Sequence, residues 1–207
     1  MTVSANTEPA FHWLGRQPYV PTWRRLMALA ADVAAGLQAE VVWTCEHEPV
    51  YTTGRRGVDN RLHNGLKAPL IHTDRGGETT FHGPGQVMLY PVISLRERSL
   101  SPRTYVHLLE QSCIDCLETL GVAVSRRQGF PGVWTPAGKV AAIGLRIARG
   151  VAYHGMALNI AVDPHWFEAI DACGTGLPSV SLASMATYLP SPRLLAHHWA
   201  DCFCCLL

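Results

Sequence analysis

Cys173 sits in the polar run Asp171-Ala172-Cys173-Gly174-Thr175-Gly176, where a thiol is hard to explain as core packing. Glycines after a cysteine can expose it and leave backbone N–H groups free for an oxyanion. A cation nearby would favour the thiolate, which is the reactive form. Lys139 heads the run to Ile147, one face of which is apolar apart from this lysine. On a regular strand it shares a face with Ala141, Ile143, Leu145 and Ile147, while Val140, Ala142, Gly144 and Arg146 take the other. Burial on that face would penalise the ammonium form and ease proton transfer near neutral pH. The competing reading places Lys139 in the preceding turn with its ammonium in water. A structural role for Cys173 also stays open.

A second polar constellation is Arg75-Gly76-Gly77-Glu78-Thr79-Thr80-Phe81-His82-Gly83-Pro84-Gly85-Gln86. Its glycines suit a loop that a ligand can approach closely, and they do not suit a helix or an interior strand. The apolar stretch from Val87 to Ile93 follows at once, so the loop is anchored to a strand. His47, His72, His82 and His154 all fall near strand ends or polar turns. No compact Cys/His ligand spacing accompanies them, so no metal is expected, and helical phase scatters His197, His198, Cys202, Cys204 and Cys205.

The elements that must position these groups read as a mixed α/β domain with a largely antiparallel sheet. Apolar spacing predicts a helix over residues 23–38 and strands at Val41–Cys45, Val50–Thr53 and Leu70–Thr73. A loop or short helix fills the interval from Val58 to Pro69. Ser101-Pro102 supplies a cap and a first-turn proline for a strong helix that Gly121 closes. Val122–Val124, Val133–Thr135, Lys139–Ile147 and Val151–Val162 read as strands, the later ones forming a meander. Asp163-Pro164 starts a short helix, and two more are expected near Val180–Tyr188 and Pro192–Cys205. Cys113 and Cys116 fall inside the helical pattern and read as small buried hydrophobes.

At 207 residues the chain suits one domain spanning 1–207, and 48% hydrophobic residues suffice for a core. A net charge of +1 with 16% charged residues gives no concentrated basic field, so nucleic acid is not an expected partner. Short basic islands at Arg24-Arg25, Arg55-Arg56, Arg96 with Arg98 and Arg103, and Arg126-Arg127 could steer an acidic protein. No apolar run approaches the roughly 18 residues of a membrane span. Seven cysteines fit a reducing compartment, so a cytoplasmic location and no membrane partner are expected.

Taken in order, these segments resemble the lipoyl(octanoyl) transferase family. The matches are Glu48 to Gly54, Arg75 to Gln86, Gly132-Val133-Trp134, Lys139 to Gly144, His154 to Asn159 and Ala172-Cys173-Gly174. Thr53 and Thr175 depart from leucine and isoleucine common in the family, and Ser179 or Val180 stands for its usual threonine. The resemblance implies the biotin/lipoate protein ligase catalytic fold, a mixed α/β domain around two sheets. It also implies a pocket built from Arg75–His82, Ala142-Ile143-Gly144 and Gly155-Met156-Ala157, with Gly76 and Gly77 passing close to an acyl chain. Cys173 is implied as nucleophile and Lys139 as its partner, with His154 and Asn159 supporting the site. The implied donor is an octanoyl group on the phosphopantetheine of acyl carrier protein. The implied acceptors are lipoyl domains of 2-oxoacid dehydrogenases and glycine-cleavage H protein, with no bound cofactor or metal and a monomeric enzyme. The alternatives are an ATP-dependent lipoate or biotin protein ligase and a non-catalytic carrier-binding protein.

Overall fold

A computed structural model describes residues 7–57, 67–170 and 177–207. Nine strands and three α-helices make up the described chain. A six-stranded sheet runs in the order β1 (Ala10–Gln17), β2 (Val41–His47), β6 (Gln86–Ser94), β9 (Val151–Asn159), β8 (Gly138–Ala148), β7 (Gly132–Thr135). A three-stranded sheet places β3 (Val50–Thr53) between β4 (Leu70–His72) and β5 (Thr80–His82). Among the described strands only β1–β2 and β3–β4 pair in parallel, so both sheets are mixed and the pairing as a whole is largely antiparallel, as expected.

Alternation on β6 and β9 divides the core into two layers. Val87, Leu89, Met156 and Leu158 face helices α2 (Pro102–Glu118) and α3 (Pro192–Leu206). Met88, Tyr90, Tyr153 and Ala157 face helix α1 (Tyr19–Ala34), where Leu26, Ala30 and Val33 pack. Tyr51, Phe81, Val162 and Ile170 form a smaller core beneath the second sheet. Ser101 caps α2 by accepting from Thr104 N–H, and Cys113 and Cys116 are fully buried on that helix.

The structure departs from the sequence reading where tertiary partners claim backbone groups. Helix α1 begins at Tyr19 because Pro21 lies in the first turn, where its missing N–H is not needed. It ends before Gly36, whose φ of +71° closes the helix and leaves Leu37 exposed. Strand β1 had no counterpart in the sequence reading, because its alternation is diluted at an exposed edge. Strand β5 lies inside the glycine-rich stretch, where Thr80-Phe81-His82 pairs with β3. Val122–Val124 forms no strand, and only Ser125 bridges to Trp134. The helix expected at Val180–Tyr188 is reduced to a 3-10 turn at Leu182–Ser184. Val180 N–H donates instead to Lys139 O at 2.9 Å, and Ala183 N–H donates to Ile160 O at 2.8 Å. The helix after Asp163 likewise shrinks to a 3-10 turn at Pro164–Trp166, with Asp163 accepting from His165 N–H.

Candidate active site

A cleft of about 420 Å³ opens on the α1 side of the six-stranded sheet. That size is ordinary for a small-ligand site. Arg75, Gly76, Gly77, Glu78, Thr80 and His82 form one wall. Ala142, Gly144, Gly155 and Ala157 form the floor, and Lys139, Phe130 and Pro131 stand at the β7–β8 side. Tyr19, Met88 and Tyr90 also contribute, none of them singled out by sequence.

Two of the expected pocket residues turn elsewhere. Phe81 is fully buried in the small core, stacked on Trp166 with ring centroids 4.5 Å apart. Thr79 donates its hydroxyl to Thr53 Oγ1 at 3.1 Å and does not line the cleft. Alternation along β8 and β9 also directs the side chains of Ile143 and Met156 to the α2–α3 core, leaving their backbone at the cleft.

Lys139 reaches the cleft because its strand is not regular. Val133 pairs with Ala141 while Trp134 pairs with Lys139, so Val140 is an extra residue. Such a bulge lets consecutive Val140 and Ala141 both enter the core and turns Lys139 to the face of Ala142 and Gly144. The expected shared face with Ala141, Ile143 and Leu145 is thereby corrected. Lys139 Nζ donates to Pro131 O at 3.0 Å and lies 4.7 Å from the centre of the Trp134 ring. Both contacts fix where Nζ sits. Cys173, the expected nucleophile, lies outside the described residues together with the rest of 171–176. Ser179, shortly after it in sequence, bridges to Lys139, and Lys139 N–H donates to Pro178 O at 3.0 Å.

Arg75 is almost fully buried, and its guanidinium shapes the glycine loop. It donates to Thr52 Oγ1, Thr52 O, Gly76 O and Glu78 O at 2.6–3.1 Å. Gly76 N–H then donates to Leu145 O at 2.7 Å, fastening the loop onto β8. A Cβ at Gly144 would approach Gly76 O at 3.0 Å and Arg75 Cδ at 3.2 Å, so glycine permits this contact.

A buried polar chain continues from Arg75. His82 Nδ1 donates to Gln86 Oε1 at 2.7 Å, which leaves Nε2 to accept from the Thr52 hydroxyl at 3.1 Å. Gln86 Nε2 donates to Asn159 Oδ1 at 2.8 Å, and Asn159 Nδ2 donates to Val180 O at 3.1 Å. The chain therefore ties the glycine loop to the segment paired with Lys139. Asn159 acts from beneath the cleft and does not line it.

Asp74 anchors the other side. It accepts from Trp23 Nε1 at 2.9 Å, from His154 Nε2 at 2.9 Å and from the Tyr153 hydroxyl. Burial alone would raise its pKa, but the hydrogen bonds from His154, Tyr153 and Trp23 outweigh burial and hold it well below the carboxylate range. His154 is buried at φ +61°, an uncommon conformation for a side-chain-bearing residue. Burial pushes its pKa down despite Asp74, so a neutral imidazole donating to a carboxylate satisfies both groups.

His47 is the third buried imidazole. Nδ1 donates to Gln17 O at 2.9 Å, and Nε2 accepts from Tyr90 OH at 2.8 Å. Burial pushes its pKa down to about 4. Burial also drives His82 well below the ordinary histidine value. All three are harder to protonate folded than unfolded, so their contribution to stability is complete above about pH 6.5 and is lost as pH falls. His47 alone should cost about 3 kcal/mol between pH 6.5 and 4, at about 1.4 kcal/mol for each pKa unit. Thermal unfolding followed from pH 7.5 to 4.5 should show a steep fall in Tm, and a flat profile would contradict this protonation scheme.

The lipoyl protein ligase A/B catalytic domain model matches residues 18–189. The chain belongs to this family. It is 42% identical over 183 residues to an octanoyltransferase of Halorhodospira halophila, covering 88% of this chain and 84% of that one. It is 45% identical over 161 residues to an octanoyltransferase of Thiobacillus denitrificans, covering 78% and 73%. Among solved structures, a bipartite lipoate protein ligase from Thermoplasma acidophilum superposes with a TM-score of 0.70 at 15% identity, covering 95% of this chain and 84% of that one. The two-sheet architecture is thus that of the lipoate ligase catalytic domains. Among the described residues, no helix is long and apolar enough to cross a membrane.

Proposed function

We propose that this chain is a single-domain, cytoplasmic octanoyltransferase of protein lipoylation that works through a thioester on Cys173. The observation that carries the reading is the cleft itself. It has small residues on its floor and Lys139 Nζ at its β7–β8 side, in a chain closely similar to octanoyltransferases. The donor is an octanoyl thioester on the phosphopantetheine of acyl carrier protein. The acceptors are lysines of lipoyl domains, including those of 2-oxoacid dehydrogenases, and of glycine-cleavage H protein.

In the first half-reaction, Lys139 takes the Cys173 proton and the thiolate attacks the octanoyl carbonyl. The tetrahedral intermediate expels the carrier thiolate, which takes that proton from the Lys139 ammonium. The acceptor lysine then attacks as a neutral amine and its proton passes to Lys139. The Cys173 thiolate leaves, and an octanoyl amide remains. Each half-reaction restores what the next requires, so neither ATP nor a metal enters the balance. The backbone of the Arg75–His82 loop supplies candidate donors for the oxyanion.

Partner docking falls to a subset of the basic islands. Arg98 pairs with Glu40 and Arg126 with Glu110. Arg56 instead lines the cleft, and Arg127 lies over the rings of Phe130 and Trp134 beside it. These two are suited to steering an acidic carrier or lipoyl domain towards Lys139.

The test offers the protein an isolated lipoyl domain under two regimes and measures the mass of that domain. Octanoyl carrier protein without ATP should add one octanoyl group. Free octanoate with ATP and magnesium should add none. The reverse pattern would make the chain a ligase.

A further inference from the structure

The strand register across the cleft floor indicates where its far end lies. Gly132, Ala142, Ala157, Met88 and Cys45 form one continuous cross-strand row over β7, β8, β9, β6 and β2. Directly paired antiparallel residues share a face, so this row is a section through the floor. Beside it, Gly144 pairs with Gly155, and Tyr90 pairs with Trp43. Side chains on the β8 and β9 part of both rows are hydrogen or methyl, which leaves a slot. At β6 they become Met88 and Tyr90, and one strand further Cys45 is fully buried in the core with Leu26 and Val33.

Tyr90 is held by its hydrogen bond to His47 Nε2 at 2.8 Å. Met88 belongs both to the cleft lining and to that core, and it is 3% exposed. It is the partition between them. From β8 to β6 the row crosses two interstrand spacings, about 10 Å in all. An extended eight-carbon chain, with C–C bonds of about 1.5 Å, spans roughly 9 Å. The slot and the chain agree in length.

We propose that Met88 closes the acyl slot and is the residue that sets acyl-chain length. This rests on the reading of the cleft as an octanoyl site, and it assigns the end of that site to one side chain. A thioether with rotatable bonds fills the terminus without a polar group, so shortening it should admit further methylenes. Discrimination in apolar pockets is on the order of 10-fold or more for each methylene.

The experiment compares hexanoyl, octanoyl, decanoyl and dodecanoyl carrier thioesters as donors for wild type, Met88→Ala and Met88→Phe, reading kcat/KM for each. Met88→Val provides a gentler truncation if the alanine variant does not fold. Truncation should raise the decanoyl-to-octanoyl ratio by on the order of 10-fold, and Met88→Phe should move the optimum towards hexanoyl. Octanoyl transfer by wild type with an unchanged length profile in folded variants would overturn the role of Met88 alone. No octanoyl transfer by wild type would overturn the site reading beneath it as well.

Discussion

Lys139→Met should lower octanoyl transfer by about 10²–10⁴-fold, the usual span for loss of a positioned acid–base group. Its side chain donates to Pro131 O and lies over Trp134, so methionine fills similar space without the proton or charge. Lys139→Arg separates those two properties. Arginine keeps a cation over the indole but stays protonated at any working pH, so it cannot take a proton from the thiol or the incoming amine. If Lys139 acts by proton transfer, Arg should be nearly as inactive as Met. Steady-state rates with octanoyl carrier protein decide the matter, and an arginine variant at near wild-type kcat would reduce Lys139 to an electrostatic role.

The second large effect is expected from Gly155→Ala, where a single methyl group meets backbone. The added Cβ would lie 1.9 Å from Leu89 O and 3.0 Å from Pro91 Cδ. Neither neighbour is a flexible side-chain end, and both belong to β6 in the middle of the large sheet. Pro91 already lacks an N–H for the ladder, and the pairing of β6 with β9 passes from Leu89–Met156 to Ile93–Ala152. His154, in a left-handed conformation next to Gly155, occupies that gap. Forcing the strands apart here should cost about 3 kcal/mol or more. For a chain of this size that corresponds to a Tm lower by roughly 6–12 °C. Calorimetry checks it, and a Tm within about 2 °C of wild type would show that the sheet relaxes freely at this point.

What was legible in the sequence follows from how local each signal is. Ser101-Pro102 carries its own capping chemistry, and α2 begins there. Val50–Thr53 is a short β-branched and aromatic run and is found as β3. The glycine-rich stretch was legible by composition, and half of it lines the cleft. Long-range effects were not legible. The bulge at Val140 depends on how β7 and β8 pair, so the parity of Lys139 could not be counted from one strand. Phe81 sits within a polar motif, yet Tyr51 and Trp166 draw it into a core. Asp74 stands just before Arg75 and carried no signal by itself, because its role comes from distant Trp23, Tyr153 and His154. Val180 had the apolar spacing of a helix, but Lys139 and Asn159 engage its backbone.

The most direct test is intact-mass spectrometry of the enzyme after mixing with octanoyl carrier protein and no acceptor, followed by peptide mapping. A single hydroxylamine-labile octanoyl adduct should appear on Cys173 and vanish as added lipoyl domain gains the same mass on its lysine. An adduct on another residue, or full transfer by Cys173→Ala, would contradict the thioester route.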